Sequence, residues 1–212
     1  MKSALAATLA FAALSFSDST HAAEDHRFEL DATIGTRFGG ALEVDLNSTD
    51  GDIPGRITAD TSIAFGGIAS YRFQSNGFVF INFSRQETEI RFRPSAVDQE
   101  AVQTSGAIDY LQFGGNLEVT RGALTPYIGF SIGAAHFASH DDGGDSWRFA
   151  GALDGGVKFR LLPFLHLRLL GRLPITLVDG ELYCYTGYGC AVLSRGAPFV
   201  QGEVQIGVGL DF

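Results

Sequence analysis

The 212-residue chain reads as an all-β protein, a single eight-stranded antiparallel transmembrane up-and-down β-barrel. Three features predict this: two-residue alternation of apolar and polar residues, connections that are short and long by turns, and a last strand that stops on an aromatic residue. In the closing segment Val204, Ile206, Val208, Leu210 and Phe212 share one face, and Gln205, Gly207, Gly209 and Asp211 share the other. One face suits lipid and the other a polar lumen, the dyad pattern of a membrane barrel. Soluble domains more often trail off in polar residues at their ends.

At the other end, Met1-Lys2 precede an apolar run from Ala4 to Phe16 and the small-residue segment Thr20-His21-Ala22-Ala23. A basic start, an apolar stretch too short for a bilayer and a small-residue cleavage site predict a secretory signal peptide over 1–23. The barrel domain is then 24–212. Lys and Arg number 15 against 24 Asp and Glu, a net charge of -9, which argues against nucleic acid as a partner. Twenty-seven Gly and 18 Phe suit strands joined by tight turns and bends. No later stretch reaches the ~18 uninterrupted apolar residues of a spanning helix.

The strands fall, in order, near 27–38, 60–73, 78–91, 105–119, 127–137, 148–159, 165–178 and 199–212. In the first, Phe28, Leu30, Ala32, Ile34 and Phe38 oppose Glu29, Asp31, Thr33 and Arg37. The second sets Ile63, Phe65, Gly67, Ala69, Tyr71 and Phe73 against Asp60, Ser62, Ser70 and Arg72. The third, Phe78 to Phe83, is apolar on nearly every position, and Val79, Ile81 and Phe83 are assigned outward. The sixth sets Phe149, Leu153, Val157 and Phe159 against Asp154 and Lys158. The seventh opposes a row of leucines from Leu165 to Leu177 to His166, Arg168 and Arg172. Connections at 39–59, 92–104, 138–147 and 179–198 are long, and those at 74–77, 120–126 and 160–164 are short. With an even strand number both termini fall on the short-turn side.

A lumen charge network follows: Glu29, Asp31, Arg37, Arg72, Asp154, Lys158, His166, Arg168, Arg172 and Glu203. Eight strands leave an interior that side chains just fill, and a buried charge needs a partner. Arg168 and Arg172 are four apart on one face, about 13 Å at ~3.3 Å per residue, so each needs its own carboxylate. Glu203, Glu29, Asp31 and Asp154 are the candidates.

With its leader, eight alternating strands and Gly207-Val208-Gly209-Leu210-Asp211-Phe212 ending, the chain resembles the small outer-membrane β-barrel family, the OmpA-like transmembrane domain and opacity-like porins. The resemblance covers the whole mature chain. It implies a bacterial outer membrane, outer-membrane lipid and lipopolysaccharide as surroundings, and a terminal aromatic, here Phe212, read by the barrel assembly machinery. A monomer without cofactor is expected.

Cys184 and Cys190, with five residues between them, lie in the last long connection of an exported chain, which predicts a disulfide. His136, Ser139 and His140, followed by Asp141, Asp142 and Asp145, are the best candidates for a nucleophile–base pair or a calcium site. Their spacing matches neither a nucleophile elbow nor an EF-hand loop, and Asp-Gly runs are ordinary turn chemistry. Glu43, Asp45, Asp50 and Asp52 against Arg56 make the first long connection acidic, able to share divalent cations with lipopolysaccharide phosphates. The reading is therefore a structural or surface-interaction protein with no catalytic centre. A narrow channel for ions or small solutes and a lipid-modifying enzyme stand as alternatives.

Overall fold

A sheet with one apolar face along its height must hide its edges, and closing on itself removes them. The computed structural model describes residues 27–48, 51–94, 102–139, 145–185 and 189–212. The leader and its cleavage region lie outside these residues, as do Asp50, His140, Asp141 and Asp142. Ten β segments are present: β1 (Phe28–Gly39), β2 (Ala41–Ser48), β3 (Gly51–Ala59), β4 (Ser62–Arg72), β5 (Gly77–Pro94), β6 (Val102–Glu118), β7 (Leu124–Ser139), β8 (Asp145–Leu162), β9 (Leu165–Tyr185) and β10 (Gly189–Asp211). All pairings are antiparallel. β1 and β2 both pair with β10, and β3 and β4 both pair with β5, so each couple is one stave of the wall. Eight staves result, closed by β1 on β10 from Glu29↔Asp211 to Gly39↔Gln201.

The stagger of the closure can be read from the register. From Ile34, partners run through Phe65, Arg85 and Asp109 to His136 on β7. The other way round they run through Ile206, Leu169 and Val157 to Pro126 on the same strand. A ten-residue offset over eight staves tilts the strands by roughly 40°. The outward row from Leu165 to Leu177 then rises about 30 Å, enough to cross an apolar band ~25 Å tall. Phe28, Ile34, Phe65, Phe113, Phe130, Leu153 and Ile206 continue this exposed apolar belt around the wall. On β5, Ile81 and Phe83 face outward, and Phe78, Phe80, Asn82 and Ser84 face inward.

The long connections need correcting. What the composition marks as loop is largely strand: β2 and β3 fill most of 39–59, β9 runs to Tyr185, and β10 begins at Gly189. Alternation persists there, with Leu42 and Ile57 buried and Glu43 set directly across from an exposed Arg56. Gly39-Gly40 reads as a strand end in the sequence. In the fold it is a kink inside one stave, with φ of 78° and 95°, and the Phe199 ring lies where a Cβ on Gly40 would sit. At the opposite end the first and last described residues are tied together, Arg27 N and Phe212 N bonding to Phe212 O and Phe28 O at 2.7 and 2.8 Å.

Candidate functional site

The lumen collects the inward side chain of every second residue, so its chemistry is set by register. All ten residues expected there lie on the inner face. Nine are buried, and Arg72 is half-buried at the turn end. They divide into two ion networks stacked along the axis.

The network near the turns centres on Glu29. Lys158 Nζ donates to it at 2.7 Å and to Glu118 at 3.1 Å, and Arg72 lies 3.8 and 3.6 Å from the same two carboxylates. Arg168 grips Asp31 with two nitrogens at 2.9 Å and reaches Glu29 at 3.2 Å. His166 stands between Asp31 at 2.9 Å and Asp211 at 3.1 Å, joining β9 to both strands of the closure. The Phe78 ring is covered by Arg72 and Lys158, 4.4 and 4.2 Å from its centre.

The second network lies nearer the hairpins. Arg172 donates to Asp154 at 2.6 Å and to Gln112, and stands 3.8 Å from Glu203. Arg37 donates to Glu203 at 2.6 Å, to Ser84 and to the Ile108 carbonyl, with its guanidinium over the Tyr110 ring. A neutral layer follows in which Tyr110 bonds Thr176 and Gln201, and Gln201 donates to Gln86. The two arginines four apart on β9 thus have separate carboxylates, Asp31 and Glu29 for one, Asp154 and Glu203 for the other.

Above this the lumen turns apolar. Leu42, Ile57, Ala59, Ile108, Ala135, Ala150, Val178 and Phe199 pack into one cluster with Tyr110, backed by Ile90 and Phe137. Sequence reasoning missed this plug, because five of these residues lie in or beside segments that look like loop. It also left Glu118 and Asp211 out of the network. Both sit on the polar face of their strands, which is the signal that finds them.

Glu29, His166 and Asp211 bring donor atoms within 4.8 Å of one another, the spacing of a metal site. Lys158 already supplies Glu29 with a cation, and the His166 ring nitrogens face carboxylates, so the arrangement is self-neutralised. His136 is on the outer wall. Its ring stacks on Trp147 at 4.5 Å, and its nitrogens lie 3.4 and 3.6 Å from Asp109 and Asp145. The side chain of Ser139, three positions further along β7, lies outside the described ones.

Cys184 and Cys190 are direct partners in the β9–β10 register, and their side chains lie outside the described ones.

No protein-family model and no curated protein matches the sequence. Among solved structures the chain is similar to Neisserial surface protein A, with a TM-score of 0.55 and 15% identity over 87% of this chain and 97% of that one. The N-terminal β-barrel domain of Pseudomonas aeruginosa OprF gives 0.48 and 12% over 88% and 98%, and AlkL in lipid bilayers 0.48 and 15% over 94% and 96%. The fold is that of the small eight-stranded outer-membrane barrels.

Proposed function

We propose that the chain is an integral protein of a bacterial outer membrane with a structural and surface-interaction role, presenting its long β-hairpins from a barrel that does not conduct. The observation that supports this most directly is the double filling of the lumen: two ion networks across its middle and an apolar plug toward the hairpins. A water-filled path would have to cross both. Outer-membrane lipid and lipopolysaccharide are the surroundings that fit the exposed belt and the charged residues beyond it. Phe212, exposed on the closing strand, suits recognition by the assembly machinery, and Cys184 and Cys190 suit a disulfide that ties the last hairpin.

Planar-bilayer recording of the refolded protein tests the reading. No resolved channel steps are expected, and a steady unitary conductance would replace it with the narrow-channel reading. Lipid A from cells that overproduce the protein should keep its mass, since His136 has its nitrogens against two carboxylates. A new lipid A species would revive the enzyme reading.

A further inference from the structure

Between the two ion networks lies a small chamber of about 10 Å³, bordered by Asn82, Asn116, Asp154, Arg168 and Arg172 among other residues. Asn82 is 1% exposed, and neither its amide nitrogen nor its carbonyl oxygen has a protein partner; the Asn116 carbonyl oxygen is equally unpartnered. Buried amides are seldom left so, because an unsatisfied donor or acceptor costs on the order of 1–3 kcal/mol.

We infer that this chamber binds one water molecule, held by Asn82 and Asn116, which links the Arg168 network to the Arg172 network. Three properties select water over an ion. The volume matches a single water and excludes a cluster. The open groups include both a donor and acceptors, which a water satisfies together, whereas an anion leaves both carbonyl oxygens unpaired and meets Asp154. A cation meets two guanidinium groups, which repel it. The site is thus a neutral bridge between the two ion networks, and hydration ends there because Ile68, Phe80, Leu170 and the Tyr127 ring complete its lining.

The test is water-to-amide cross-relaxation in isotope-labelled, refolded protein in micelles. The Asn82 and Asn116 side-chain amides should show contacts with a water that tumbles with the protein, and wild-type amides without them would overturn the inference. In Asn82→Leu the contact at Asn116 should vanish. Its persistence would show that Asn82 does not hold the water. The wild-type result stands even where the variant fails to fold. Titration with bromide should leave both amides unshifted, and a saturable shift would overturn water in favour of an anion.

Discussion

The barrel fills its lumen in two opposite ways. Toward the turns, where the wall faces outward with Phe28, Leu30 and Ile34, the interior is Glu29, Asp31, Arg168 and Lys158. Toward the hairpins, where the wall carries Glu43 and Arg56, the interior is Leu42, Ile57, Val178 and Phe199. The lower part is a membrane protein turned polar-side-in, and the upper part is packed as a soluble β-barrel is. Each region follows the solvent outside its wall, since apolar surface is buried wherever water lies outside and is free to face outward wherever lipid does. The apolar plug begins inside the top of the outer belt, where Leu177, Val200 and Phe149 are exposed beside Val178, Phe199 and Ala150, and continues to Leu42 and Ile57, where the wall outside carries Glu43 and Arg56.

If the lower filling depends on pairing, removing one partner should cost more than any change in the plug. Arg172→Ala should lower stability by about 3–5 kcal/mol, because Asp154 is left as a buried charge without its cation. Denaturant unfolding of the refolded protein measures this, and Arg172→Met combined with Asp154→Leu should recover most of the loss. A loss below about 1 kcal/mol would mean that Asp154 is solvated and that the contrast between the regions is weaker than its contacts suggest.

The plug should respond to volume and be indifferent to charge. Phe199→Ala removes a ring from the apolar cluster and should cost about 3 kcal/mol, with Phe199→Leu costing distinctly less. Equal losses from the two would show that the ring edge against Phe137, 5.8 Å between centres, matters more than filling.

The junction of the two regions should be sensitive to backbone. Gly40→Ala combines a positive φ with a Cβ where the Phe199 ring lies, so a loss of about 1–3 kcal/mol is expected in the same assay. Gly39→Ala shares the φ and lacks the close side-chain contact, so it should cost less.

Effects outside the two fillings should be smaller on stability. Phe212→Ala should cut the yield of folded barrel in cells several-fold while changing denaturant unfolding of the purified protein little. Equal cellular yields would remove the assembly role. Replacing Cys184 and Cys190 by Ser should leave the eight-stave ladder folded, since a short hairpin restraint is worth about 2 kcal/mol at most and acts locally. Non-reducing peptide mapping should show the two joined in the wild type.

The sequence alone determined the lower region. Alternation over strands such as 165–178 and 199–212 requires one apolar and one polar face whatever the neighbours do, and the lumen charges are its polar positions. The pairing of Arg168 with Asp31 and of Arg172 with Asp154 was narrowed to four carboxylates by spacing, and only the register of β9 against β8 and across the closure assigned them. The upper region was not legible in this way. From Phe28 to Leu46 the even positions are mostly apolar and the odd positions mostly polar without a change of phase, yet Leu30 faces out and Leu42 faces in. The reversal comes from the positive φ at Gly39 and Gly40, and a matching one separates Ile57 inside from Ile63 outside across Asp60-Thr61. Side-chain pattern records that two faces differ in polarity. Which face looks inward depends on the backbone turn between segments and on what lies beyond the wall, and both are properties of the closed barrel.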